Sequence, residues 1–288
     1  MRKLWLLLAL LLLLLTGCAK TEYGPQVAAT TLPVYTFAEA LCVGTDIQVT
    51  RLISESVSCL HDYSLQVGQM KAIEKADLVV ISGAGLEDFM EDVLTDKEII
   101  DASSNIPLHC PDEGHEEHED HHHETDPHIW LSPENAKIMV TNICAGLEAA
   151  YPQHKETFRQ NLATLDVELT HLQEYGDAEL KELACRELLT FHDGFGYLAQ
   201  AFDLEILHAI EEESGREASA AELIELCVLV EDHDLPALFT EKNGSVSAAS
   251  IISAETGAKI YALDMAMGGD SYFDSMYHNI NTLKEALG

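Results

Sequence analysis

Residues 154–176 read HKETFRQNLATLDVELTHLQEYG. Phe158, Leu162, Leu165, Leu169 and Leu172 recur at alternating spacings of four and three, which draws one apolar stripe along a helix. At 1.5 Å per residue such a helix is about 33 Å long, roughly the span of a small domain. Gly176 is expected to end it. The helix lies between two stretches of alternating strand and helix patterns, which makes it a connecting strut. The competing reading is one more packed helix of a single domain.

Upstream of the strut, short β-rich runs at 27–31, 47–52, 78–82 and 98–101 alternate with helical patterns at 34–43, 67–75 and 86–94. Such alternation predicts parallel βαβ units. Ser132-Pro133-Glu134 is a strong helix start, with an N-cap serine, proline in the first turn and an acid at the positive end. That helix should reach Ala150, where Tyr151-Pro152 ends it. Downstream the alternation repeats, with strands at 188–192, 204–209, 237–240 and 259–263 and helices at 195–202, 220–230, 247–256 and 271–287. The predicted fold class is therefore α/β: two βα-repeat lobes with parallel sheets, joined by a single long helix. Ligands of open α/β sheets sit beyond the carboxyl ends of strands, and clefts between domains are favoured pockets.

The N-terminus addresses the chain. Arg2 and Lys3 precede an unbroken apolar run of twelve residues from Leu4 to Leu15. That run is too short to span a bilayer, which takes about 20 residues, but it suits a secretory signal. Leu15-Thr16-Gly17-Cys18 resembles a bacterial lipobox, which implies cleavage before Cys18 and acylation of its thiol. The expected organisation is a signal peptide at 1–17, a lipid-anchored tether at 18–26 and a first lobe at 27–152. The linker helix then occupies 153–184 and the second lobe 185–288. The protein is expected to be extracytoplasmic, tethered to the outer face of a membrane or periplasmic. The net charge of −34, from 50 acidic against 16 basic residues, argues against a nucleic-acid partner, whose phosphates it would repel. It would enrich cations near the surface, although solubility alone also accounts for it.

Seven cysteines are scattered without a CxxC pair. Buried free thiols are expected, since free cysteine behaves as a small hydrophobe. Cys59 lies near His61 and Cys110 adjoins His109, so either has the chance to touch a metal.

Within the first lobe, at 109–126, the composition changes abruptly. Between Asp112 and Asp126 stand five histidines (His115, His118, His121, His122 and His123) and eight carboxylates. Imidazole is the commonest metal ligand among side chains. This stretch reads as a surface loop that either collects a metal weakly and passes it inward or binds a second one. Its blander reading is an acidic linker whose histidines do little. Ligands of a tighter site should lie at or just after strand ends. His61, in the loop after the second strand, His128, before a capped helix, His192, at a strand end, and Asp264, after the last strand, meet that requirement. Two come from each half, so a metal held by them would bridge the lobes.

Several segments together resemble the metal-binding lipoproteins of bacterial ABC importers for zinc and manganese, the ZnuA/TroA-like group. They are the lipobox at Cys18, His61-Asp62-Tyr63-Ser64-Leu65, Ala76-Asp77-Leu78-Val79-Val80 and Asp126-Pro127-His128-Ile129-Trp130-Leu131-Ser132-Pro133. Phe191-His192-Asp193-Gly194-Phe195-Gly196-Tyr197 and the Asp264 region before Gly269-Asp270-Ser271-Tyr272 complete the set. The resemblance implies two α/β lobes joined by one rigid helix with metal between them. It places ligands at His61, His128, His192 and Asp264. Manganese-type members carry glutamate at the third position and zinc-type members histidine, so His192 implies Zn2+ over Mn2+. Three imidazoles and one carboxylate suit tetrahedral zinc, whereas manganese prefers more oxygen. Leu60 departs from those zinc-type members that carry a coordinating glutamate there, which leaves Asp264 or water as the fourth ligand. Asp193 is a candidate for orienting a ligand histidine, with a solvated turn residue as the alternative reading. The implied partners are a membrane permease and its ATPase, with the binding protein a monomer.

Two other classes compete. His118-Glu119-Asp120-His121-His122 matches the HExxH pattern of zinc hydrolases, but it lies in a hydrophilic low-complexity run with no apolar face to set a helix. Four protein ligands would also leave no open position for an activated water, so an enzyme is not expected. An adhesin-type structural lipoprotein would need metal to fold, whereas a carrier stays folded when empty.

Overall fold

The computed structural model of the 288-residue chain describes residues 26–54, 60, 63–109, 125–210 and 218–288. The first lobe runs β1 (Gln26–Ala29), α1 (Leu32–Cys42), β2 (Gln48–Arg51), α2 (Val67–Lys75), β3 (Leu78–Ile81), α3 (Glu91–Leu94), β4 (Ile99–Asp101) and α4 (Pro133–Ala150). The long helix α5 (Lys155–Glu179) follows. The second lobe runs β5 (Glu187–Thr190), α6 (Gly196–Ala201), β6 (Glu205–Ala209), α7 (Ala220–Asp232), β7 (Ala237–Glu241), α8 (Ser247–Thr256), β8 (Lys259–Leu263) and α9 (Tyr272–Leu287).

Each lobe carries one four-stranded sheet, ordered β2-β1-β3-β4 and β6-β5-β7-β8, and every pairing is parallel. Parallel sheets need helices on both faces, so their central strands read as continuous apolar runs. Val79 and Val80 of β3 and all five residues of β7 are buried accordingly. In both sheets the strand order reverses next to the first strand, between β1 and β3 and between β5 and β7. Such switch points open a crevice at the carboxyl ends. Local signals set the helix starts. Ser132 Oγ accepts the Asn135 amide at 3.3 Å with Pro133 in the first turn, and Ser219 and Glu222 close a capping box on α7.

Helix α5 buries Phe158, Leu165, Leu169, Leu172 and Gly176 along one face. That face packs on α1 and α4 of the first lobe and on α9 of the second. Gly176 does not end the helix as its sequence suggests. It lies inside the last turns, buried, where a β-carbon would stand 2.1 Å from the Phe202 ring. Glycine is there for close packing, and the helix ends at Glu179 once the Leu180 amide has bonded the Gly176 carbonyl.

Two other local readings change. The 86–94 pattern forms a 3-10 turn at Asp88–Met90 and then the single turn of α3. The backbone before it is left-handed at Gly83, Ala84 and Gly85, and the Glu87 side chain is tied back to Ser82 and Gly83, so a helix cannot start at 86. Strand β5 stops at Thr190, which leaves His192 two residues beyond it.

Buried apolar residues of both lobes and of α5 form one contiguous cluster, and a smaller one lies under α7 and α8. Among the described residues no helix is long and apolar enough to cross a membrane. Cys42, Cys144, Cys185 and Cys227 are free, and burial pushes the Cys42 thiol up to about 12. Cys18, Cys59 and Cys110 lie outside the described residues, as does the signal region at 1–17.

Gly176→Ala raises helix propensity by about 0.5–1 kcal/mol in an exposed helix. Here the methyl group meets the Phe202 ring, so urea unfolding is expected to show a net loss of about 1–3 kcal/mol. A stabilised variant would mean that the ring yields freely.

Candidate metal centre

Three crossings hold the two carboxyl-end rims together. Trp130, wholly buried, donates its indole N–H to the Met265 carbonyl at 2.8 Å, and the Tyr272 hydroxyl donates to the Trp130 carbonyl at 2.7 Å. Arg51, at the end of β2, donates to the carbonyls of Met267 at 2.9 Å and Gly269 at 2.7 Å. Tyr197 of α6 accepts the His109 amide at 3.0 Å and donates to the Asp126 carbonyl at 3.3 Å.

His128 stands two residues before Trp130 and is 5 % exposed. Its Nδ1 lies 2.8 Å from Asp126 Oδ1, and the same oxygen accepts the His128 amide at 2.9 Å. An ionised carboxylate only accepts, so Nδ1 donates to it, and in the neutral ring the lone pair is then on Nε2. Asp126 is the orienting carboxylate that the sequence reading missed. Its signal was an aspartate two residues ahead of a histidine, since such side chains bond the backbone two residues on.

His192 faces His128 across the cleft, with ring centroids 5.2 Å apart and planes at 82°. Its Nε2 is buried. A β-carbon on Gly194 would lie 2.7 Å from that nitrogen and 2.7 Å from the Met265 methyl group. The absent side chain therefore lets the His192 ring and the Met265 methyl group close in on the backbone at Gly194. Asp193 is exposed on the rim, and its carboxyl is shifted upward, first by desolvation and then by the Asp126 charge.

Asp264 follows β8 and is nearly buried. Lys242 Nζ at 2.9 Å and Ser275 Oγ at 3.1 Å engage its Oδ2, and the Ala266 amide engages Oδ1 at 2.9 Å. Among the described residues no three His, Cys, Asp or Glu side chains converge as a ligand group. His61 lies outside the described residues, and so do His115, His118, His121, His122 and His123. The chain either side of His61 is anchored: Leu60 is buried, and the Tyr63 hydroxyl accepts from Gln69 at 2.6 Å.

A family model for the periplasmic component A of zinc-uptake complexes (ZnuA) matches residues 27–286. The chain belongs to this family. The zinc-binding lipoprotein AdcA of Streptococcus pneumoniae strain R6 is 30% identical over 307 residues, an alignment covering 99% of this chain and 61% of that one. The chain thus spans about three-fifths of that relative. The crystal structure of ZnuA superposes with a TM-score of 0.79 at 25% identity, covering 92% of this chain and 99% of that one. The Zn(II)-bound ZnuA-like domain of pneumococcal AdcA gives 0.76 at 29% identity, with 91% and 98% covered. In this ZnuA-family fold, two lobes joined by a long helix, the cleft between the lobes holds the His128–His192 pair.

One further carboxylate on the first rim was not singled out from sequence. Glu87 accepts from Thr30 Oγ1 at 2.6 Å and from the Ser82 and Gly83 amides at 2.8 and 2.9 Å, joining the ends of β1 and β3. Burial nevertheless pushes its carboxyl up to about 7. A raised acid pKa means that the folded state holds the proton more tightly. Its contribution to stability is therefore full below about 4.5 and is lost as pH rises through about 7.

Glu87→Gln does not titrate. The stability of wild type relative to this variant is expected to fall by about 3 kcal/mol between about pH 4 and about pH 8 in urea unfolding. A pH-independent difference would mean that Glu87 is ionised throughout. Gly194→Ala puts a methyl group where the His192 ring and the Met265 methyl already stand, so it is expected to weaken metal binding at least 10-fold with the fold intact by circular dichroism.

Proposed function

We propose that this protein captures extracytoplasmic Zn2+ and delivers it to the permease of an ABC importer. The His128–His192 pair carries this reading. Two imidazoles bound at about 2.0–2.1 Å on one tetrahedral zinc hold their ring centroids about 5 Å apart, and these two stand at 5.2 Å. His61 is the third ligand in this proposal, with Asp264 or water the fourth. The Lys242 and Ser275 bonds on Asp264 favour water unless that carboxylate changes partners on loading. Family membership and the Zn(II)-bound pneumococcal domain support zinc over manganese.

Capture starts with attraction of cations by a strongly acidic surface, the full chain carrying a net charge of −34, and the histidines of the acidic stretch hold zinc transiently. Zinc then exchanges water for imidazole in the cleft, where Asp126 keeps His128 in the ligating tautomer. The packing of α5 on both lobes limits closure to small tilts. The loaded monomer docks on the permease, whose ATPase supplies the energy. Cys18 carries the lipid anchor after removal of residues 1–17. Membership of a family of zinc-uptake components sets a zinc hydrolase aside. Extensive apolar cores in both lobes argue against a purely structural zinc.

Competitive titration of the protein with Zn2+ and Mn2+ tests the reading, with bound metal counted by mass spectrometry. Tight zinc binding with manganese excluded is expected. His128→Ala and His192→Ala should each weaken it more than about 100-fold, beyond the 10–100-fold typical of losing an orienting partner, with the apo circular dichroism unchanged. Manganese preference, or near wild-type affinity in both variants, would overturn it.

A further inference from the structure

Tyr197 occupies an unusual place. It sits in the first turn of α6, only five residues after His192, and is 1 % exposed. Its ring stacks on His109, centroids 4.3 Å apart and planes at 19°. Its hydroxyl is shared between the His109 amide and the Asp126 carbonyl. These two residues meet directly as well, since the Asp126 amide donates to the His109 carbonyl at 3.1 Å. Asp126 in turn holds His128 by both its amide and Nδ1. Next to Tyr197, a β-carbon on Gly196 would come within 3.1 Å of Asp126 Oδ2, so α6 is packed close against the carboxylate that orients His128.

A continuous path therefore runs from the segment bearing His192, through one phenolic oxygen, to the support of His128. The two histidines come from different lobes.

We propose that Tyr197 is a positioning residue for metal binding: its hydroxyl sets the Asp126 segment, and through it the His128 ring, against the His192 segment. This inference rests on the reading of His128 and His192 as ligands. Tyr197 does not touch the metal itself. Its hydroxyl donates to one backbone group of the joint and accepts from another. Phenylalanine keeps the stacking on His109 and removes these two bonds.

The experiment compares full-length wild type with Tyr197→Phe, Asp126→Asn and the double variant. Three quantities are read: apo unfolding, zinc release to a chelator, and the visible d–d spectrum of the Co2+-loaded protein. Cobalt reports ligand geometry directly, which a change in global stability does not alter. Tyr197→Phe is expected to speed zinc release about 10-fold, in the range for loss of an orienting partner, and to shift or weaken the cobalt bands. The effects of the two single changes should be non-additive in the double variant, because both act through the orientation of His128. A cobalt spectrum and release rate equal to wild type, with only apo stability lowered, would make Tyr197 a structural residue and overturn the proposal. Additive effects would likewise overturn the path through Asp126. Should wild type itself take up neither zinc nor cobalt tightly, the ligand reading fails instead, a different result from a wild type that binds and a Tyr197→Phe variant that does so equally well.

Discussion

The indole N–H of Trp130 and the carbonyl of the same residue are satisfied across the cleft, by the Met265 carbonyl and the Tyr272 hydroxyl. Both bonds are buried, and an unmade buried hydrogen bond costs far more than a made one contributes. The lobes therefore cannot part at this point without stranding polar groups. His128 stands two residues before Trp130, and Met265 and His192 both close in on Gly194. The spacing of the two imidazoles follows from this joint.

The long helix acts with it. One face of α5 is buried against both lobes, and the core runs through the molecule as a single cluster. Interiors packed at this density shift between discrete arrangements and do not bend smoothly. In the proposed carrier role, exchange of cargo then falls to local movement of loops and side chains. Charge plays a separate part, drawing cations toward the surface at long range, whereas selection among them falls to a few nitrogen and oxygen atoms in the cleft.

Asp126 illustrates how the proposed ligand His128 is prepared. By accepting from both the amide and Nδ1 of His128, it selects the tautomer and holds the ring plane at once. Asp264, in contrast, has its Oδ2 engaged by Lys242 and Ser275 and its Oδ1 by a backbone amide.

Much of the fold was legible because parallel βαβ units write themselves in local patterns: apolar runs for buried strands, period 3.6 for helices, and Ser-Pro or Ser-x-x-Glu at helix starts. The bounds of α2, α8 and β8 follow directly from such signals. The histidines stood out because imidazoles at strand ends are chemically unusual. Gly176, Glu87, Asp126 and Tyr197 were not legible in their roles. A glycine that ends a helix and one that admits a neighbouring ring look alike in a chain. A glutamate after Gly-Ala-Gly-Leu gives no hint that two strand ends will close on it. The joint between His109, Asp126 and Tyr197 links residues up to 88 apart. Periodicity and capping are properties of neighbours along the chain, so the sequence by itself determined the elements, their parallel order and the residue types for metal. Which groups meet across the cleft depends on how two separately written lobes dock, and only the tertiary structure decided that.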